Sequence, residues 1–167
     1  GIRDQPRSRG LGDVYKRQMY GFSSPHFSPW EYVKLLASIS EVLEDDGVLV
    51  LEEGDRIYSI FFKVGYKELL VERAEKEPII SLHSDYNPIK GTFERTYLNL
   101  LNPKNPVKVS TYFWNIAELM TLVWLFFQDV DFLPYDEKKS RGLIIGYRPR
   151  YKIKPKDLDY EPKILKK

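Results

Sequence analysis

An α/β fold is predicted for this chain of 167 residues by three observations. A capped amphipathic helix ends in a glycine turn and runs straight into a short, wholly apolar segment, which is half of an α/β crossover unit. A second capped helix begins near residue 115. After it, two β-like segments are joined by a connection short enough only for an antiparallel pair.

The first helix opens at Ser28-Pro29-Trp30-Glu31: Ser28 caps, Pro29 suits the first helical position, and Glu31 closes a capping box. Val33, Leu36, Ile39, Val42 and Leu43 give it one apolar face. Asp45-Asp46-Gly47 stops it, and 48–51 follows as a continuous apolar run, the pattern of a parallel strand covered on both faces. The acidic stretch 52–55 reads as the end of that strand. Residues 56–76 read as mostly helical, interrupted at Gly65 into one broken helix or two short ones. A short strand is expected at 79–83, turns at Asn87-Pro88 and Lys90-Gly91, and a hairpin of two strands, 93–101 and 107–113, around a 102–106 loop. Asn115 and Glu118 form the second capping box, and Ile116, Leu119, Met120, Val123, Phe126 and Phe127 line the buried side of that helix. Residues 129–135 alternate in part, 136–140 form a charged turn, and 143–145 are a final apolar strand stopped by Pro149. The lysine- and proline-rich tail 151–167 reads as extended and solvated.

With 43% hydrophobic and 14% aromatic residues the chain is globular in composition and long enough for one core. It has no cysteine, which excludes disulfides and thiolate metal sites and fits a reducing, cytoplasmic location. No apolar run approaches the roughly 18 residues that span a bilayer, and Gly1-Ile2-Arg3-Asp4 lacks the apolar region of a signal peptide. The net charge of +2 is uneven: 1–18 carries +3 and 148–167 carries +5, which leaves −6 for 19–147. The basic charge therefore sits in the two ends, and neither a nucleic acid nor a membrane is the partner expected of the acidic middle. Two distant histidines without a third strong ligand define no metal site.

Residues 8–18, Ser8-Arg9-Gly10-Leu11-Gly12-Asp13-Val14-Tyr15-Lys16-Arg17-Gln18, have neither a helical nor a strand period. They match, residue by residue, one reading frame of a common transposase library adapter, and Asp13 to Gln18 cover its mosaic end. Residues 1–18 are accordingly expected to be a non-native segment outside the fold, and Met19 need not be a natural start. The domain expected is 19–150, with an insertion at 55–113, followed by the basic tail.

The stretch Ile39-Ser40-Glu41-Val42-Leu43-Glu44-Asp45-Asp46-Gly47-Val48-Leu49-Val50-Leu51-Glu52 resembles the passage into the fifth strand of class I S-adenosylmethionine-dependent methyltransferases, with Asp46-Gly47 where that family often has Gly-Gly. The resemblance covers about 19–150 and implies the C-terminal half of a Rossmann-like methyltransferase sheet: helix, parallel strand, insertion, helix, then a sixth strand and a reversed seventh at 129–135 and 141–150. It also implies S-adenosylmethionine as cofactor of the complete protein and methyl transfer as its activity. The family's glycine-rich loop after strand one and acidic residue after strand two have no counterpart in this chain, so the chain is expected to be an incomplete and inactive fragment. Gly10-Leu11-Gly12 has the spelling of such a loop but lies in the adapter-like segment.

In open α/β sheets ligands bind beyond the C-terminal strand ends. The loop Tyr20-Gly21-Phe22-Ser23-Ser24-Pro25-His26-Phe27 occupies that place in the resemblance, which makes Gly21 and Phe22 candidates for cofactor contact and His26 a candidate base or orienting group. His26 is equally a loop histidine that merely packs. His83 and Asp85, two apart on an extended segment, point to the same side and are a second catalytic pair, or else a polar turn. In the 55–113 insertion Tyr86, Arg95 and Tyr97, and at its end Trp114, are candidates for binding the methyl acceptor, with Arg95 suited to a carboxylate or phosphate. Most aromatics there also suit the core of a small subdomain. The acceptor itself is open, a small molecule being favoured. The alternative is a non-enzymatic α/β module that offers the aromatic hairpin 93–113 to a partner.

Overall fold

The computed structural model describes residues 15–166, so most of the adapter-like segment, 8–14, lies outside the described residues. Two four-stranded sheets form. The first has the order β1-β2-β8-β7, where β1 is Lys16–Met19, β2 Val48–Gly54, β7 Phe127–Pro134 and β8 Arg141–Pro149. Strands β1 and β2 run parallel, and β8 is antiparallel to both of its neighbours. The reversed strand therefore sits where the sequence placed it. Residues 16–18, expected to lie outside the fold, instead pair with Val48, Leu49 and Val50. The pairing uses backbone N–H and C=O groups, so side chains with no apolar period do not prevent it.

Both helices form as read. In α1, Pro29–Val42, the Ser28 hydroxyl accepts from Glu31 N and the Glu31 carboxylate accepts from Ser28 N at 2.8 Å. In α2, Ile116–Phe126, Asn115 and Glu118 exchange the same pair of bonds. Alternation along β2 turns Leu49, Leu51 and Glu53 inward. Leu49 and Leu51, with Ile144 from β8, meet Tyr32, Leu36, Ala37 and Leu43 of the α1 segment and Leu119, Val123 and Phe126 of α2 in one core. Each such buried aliphatic side chain contributes about 1.5–3 kcal/mol. Strand β8 passes close to α2 and β7: a Cβ at Gly146 would lie 2.7 Å from Val123 Cγ1 of α2, and one at Gly142 only 2.3 Å from Leu133 O of β7.

Strand β2 runs to Gly54, inside the 52–55 ending read from the sequence. The expected helical stretch 56–76 shrinks to one π-helical segment, Tyr58–Val64, closed by Gly65 at φ +79°. The chain then enters the second sheet, β3-β4-β5-β6, all antiparallel: β3 Leu69–Arg73, β4 Ile79–Asn87, β5 Thr92–Asn99 and β6 Asn102–Tyr112. The β5–β6 hairpin turns at Leu100-Leu101, where Asn99 Oδ1 accepts from Leu101 N, and not around 102–106. Pro103 and Pro106 instead lie in β6, an edge strand where missing donors are tolerated.

The tail is not the solvated extension expected. It makes 3-10 turns at Pro155–Leu158 and Lys163–Lys166, Leu158 packs on the core, and the Tyr151 hydroxyl donates to Leu43 O at 2.7 Å. A few apolar side chains in a lysine-rich run suffice to bring it back onto α1.

Candidate functional site

The C-terminal ends of the parallel strands β1 and β2 lie side by side, and the loop from Tyr20 to Phe27 leaves from the first of them. That loop is held at both ends. Gly21, at φ +80°, donates its N–H to Glu52 Oε2 at 3.1 Å. Phe22 is left-handed too, at φ +54°, a conformation that carries strain for a bulky residue. Its ring lies against Gly54, where a Cβ would approach to 3.3 Å, and the Arg141 guanidinium stands 5.7 Å from its centroid.

Further along, Ser24 is buried and donates to Glu53 Oε1, with the Tyr32 hydroxyl 3.1 Å away. Trp114 Nε1 donates to Ser24 O at 2.9 Å and to Phe27 O at 3.1 Å. Glu53 is 1% exposed. Burial pushes its carboxyl up to about 7, against the opposing pull of the Ser24 hydrogen bonds and the Arg56 charge. Burial likewise pushes the Tyr32 hydroxyl up. Arg56 lies just past the end of β2 and donates its backbone N–H to Trp114 O at 2.8 Å. Its side chain interacts electrostatically with Tyr97 of β5 and with Glu53. Its Nε is shielded from solvent and has no hydrogen-bond partner among the described residues.

Facing residues on neighbouring strands share a side of the sheet. On β4 and β5 that rule groups Ser81 with Tyr97, His83 with Arg95 and Tyr86 with Phe93 on one side, and Asp85 with Glu94 on the other. The first side is aromatic. Phe93 stacks on Phe113 at 4.1 Å, Tyr66 lies 6.2 Å from Phe93, and the Tyr66 hydroxyl bonds His83 Nδ1 at 2.5 Å. The second side is polar: Lys108 Nζ bonds Glu94 Oε1 at 2.9 Å, and Ser84 bonds the same carboxylate.

The residues singled out from the sequence therefore separate. His83 and Asp85 do not face one another, because the register slips between them. Asp85 Oδ1 is engaged by Tyr86 N at 2.8 Å. His26 is exposed and lines a cavity of about 840 Å³ with Trp30, Glu31, Lys90 and Tyr160. That cavity opens beside the first turn of α1 and the tail; no residue from the end of β2 lines it, so it is not the crevice at the strand ends. Trp114 is a core residue, 2% exposed, whose indole N–H holds the loop, so it offers no surface to an acceptor. Arg95 spends its guanidinium on Ser81 Oγ, Ser81 O, Lys67 O and Glu68 O, at 2.9–3.2 Å, and ties the start of β3 to the sheet. Tyr86 is exposed and Tyr97 half-buried on the aromatic side. Glu53 and Arg56 were not singled out. The alternation that buries Leu49 and Leu51 also points Glu53 inward, which is the signal the sequence carried for it.

Together the sheet order, the reversed β8 and the two helices define the mixed α/β fold of Rossmann-like methyltransferases. No protein-family model and no curated protein sequence matches the chain. Solved structures do. The CcbJ methyltransferase from Streptomyces caelestis superposes with a TM-score of 0.59 at 12% identity, over 86% of this chain and 61% of its own. An S-adenosylmethionine-dependent methyltransferase from Clostridium acetobutylicum gives 0.54 at 7% identity, over 86% and 62%. The sugar N-methyltransferase KedS8 from a Streptoalloteichus species gives 0.52 at 15% identity, over 86% and 60%. At such identities the likeness establishes the fold. The chain spans about 60% of the length of these structures. Among the described residues no helix is long and apolar enough to cross a membrane.

Proposed function

We propose that this chain is the C-terminal part of an S-adenosylmethionine-dependent methyltransferase that acts on a small molecule, and that by itself it is inactive. The observation that carries the reading is β8, running antiparallel between β2 and β7 in a sheet to which the chain adds a second, all-antiparallel sheet between β2 and α2. The fold shared with two methyltransferases at TM-scores of 0.59 and 0.54 supports it. The cofactor, when bound, supplies an electrophilic methyl group. Of its cradle this chain offers the Tyr20–Phe22 turn: beside Gly21 nothing lies within 4 Å of where a Cβ would sit, so a ligand can approach the backbone there. The glycine-rich loop expected to hold the methionine part would come from residues outside this chain.

In this reading the aromatic side of the second sheet selects the acceptor, with Tyr86 and Tyr97 as contacts and His83, braced by Tyr66, beside them. Positioning the nucleophile supplies much of the rate in such a transfer. Residues 8–18 are proposed to be adapter-derived, the rest of 1–18 non-native with them, on the strength of the residue-by-residue match.

The test is to recover the coding sequence upstream of Met19, express the extended protein, and measure S-adenosylmethionine binding by calorimetry and label transfer from methyl-labelled cofactor. A strand followed by Gly-x-Gly upstream, with binding restored, is expected. Tight cofactor binding by 19–167 alone would contradict the incomplete-enzyme reading, and an extended protein that binds no cofactor would defeat the methyltransferase reading itself.

A further inference from the structure

We propose that Arg56 anchors an anionic group, a carboxylate or a phosphate, of the molecule that enters between the C-terminal end of β2 and the aromatic side of the second sheet. Arg56 lies two residues past Gly54, where β2 ends, and interacts electrostatically with both Glu53 of β2 and Tyr97 of β5. Its Nε is sealed from solvent and no described protein group accepts from it. A buried donor left unsatisfied carries its full desolvation cost, more in a charged group, and a planar guanidinium is the side chain best matched to the two oxygens of a carboxylate or phosphate.

Glu53, the carboxylate that acts on Arg56, does not cancel that charge. Glu53 is already engaged by Ser24. Its carboxyl, raised to about 7, is part neutral near neutral pH. The arginines of the second sheet are engaged by the protein itself: Arg95 bonds Ser81, Lys67 and Glu68, and Arg73 pairs with Glu77. On the aromatic side of the second sheet, which Tyr97 shares, the Phe93–Phe113 stack and Tyr66 form an apolar wall. The anion site stands on this geometry; identifying the anion as part of the methyl acceptor rests on the methyltransferase reading.

The chain as it exists serves for the test. The Nε–H resonance of Arg56 in a nitrogen-15 spectrum, assigned by its loss in Arg56→Lys, is followed while inorganic phosphate and, separately, acetate are added at constant ionic strength. A saturable shift is expected, with the apparent Kd raised at least tenfold in Arg56→Gln by tryptophan fluorescence and only partly in Arg56→Lys, which keeps the charge but loses the fork. Saturation with phosphate alone identifies a phosphate source; saturation with both admits a carboxylate. An unmoved Nε–H, or a linear shift shared by Arg56→Gln, overturns the proposal. If Arg56→Gln fails to fold, the wild-type titration and Arg56→Lys decide it. No cofactor is used, so failure here leaves methyl transfer untouched, and failure of cofactor binding leaves the anion site untouched.

Discussion

Replacing Glu53 by Gln removes a group whose ionisation the fold opposes. Its carboxyl has an ordinary value of 4.5 and is raised to about 7 in the folded chain, chiefly by burial. Between those two values the folded state holds a proton that the unfolded state has released. The contribution of Glu53 is therefore fully present below 4.5 and is lost as pH rises through 7. A shift of that size corresponds to about 3 kcal/mol at 1.36 kcal/mol per pH unit. Gln keeps a carbonyl to accept from Ser24 and a similar shape, and has nothing to ionise. Urea unfolding of both proteins from pH 4.5 to 8 reads the effect. Wild type should lose roughly 3 kcal/mol more than Glu53→Gln across that range, every other titrating group cancelling in the difference. Two parallel pH profiles would show that the carboxyl is not desolvated as described.

Trp114→Phe removes the donor that holds Ser24 O and Phe27 O. It should cost about 1–3 kcal/mol and speed amide exchange in the Tyr20–Phe27 loop, and unchanged exchange there would deny the indole its role. Gly142→Ala places a Cβ 2.3 Å from Leu133 O, against backbone that cannot swing aside. A loss of about 2 kcal/mol, or roughly 4–8 °C in Tm, is expected by calorimetry. A Tm within a degree of wild type would mean β7 and β8 are not packed as described. Arg95→Lys gives up the fork that bonds Ser81 and the 67–68 carbonyls. Exchange at His83 N, which donates to Glu68 O, should accelerate while β2 and β8 stay protected. Uniform protection across both sheets would speak against Arg95 as the tie.

Local chemistry made part of this fold legible. The Ser28–Glu31 and Asn115–Glu118 boxes fix helix starts by backbone bonds that need no tertiary context. The apolar run after Gly47 and the short charged turn before Gly142 fix two strands and their sense. Tertiary context decided the rest. Residues 69–73 are three apolar residues followed by two charged ones, in no clean period, and they become a strand because β4 offers an edge and Arg95 pins their start. Lys16–Met19 pairs because β2 has a free side. His83 and Asp85 part company at a register slip that no residue type announces. Arginine at 95 and tryptophan at 114 have the right chemistry for a ligand, yet each spends it on the protein's own carbonyls.

Glu53 and Arg56 act on one another, and that makes anion binding and protonation a linked pair. An anion accepted by Arg56 takes up the positive charge that now helps Glu53 ionise, so it should drive Glu53 further toward its neutral form. The reciprocal holds: neutral Glu53 leaves more of the Arg56 charge to the anion, and binding tightens as pH falls through about 7. The groups set about this carboxyl are Ser24, Tyr32, Glu52 and Arg56; Ser24 does not titrate, and burial pushes the Tyr32 hydroxyl up, away from that range. Sulfate, which does not titrate there, isolates the effect. Its Kd should fall on the order of tenfold from pH 8 to pH 6 in wild type and stay flat in Glu53→Gln. An equally steep profile in both proteins would move the pH dependence to another group and break the link between the buried carboxyl and the arginine beside it.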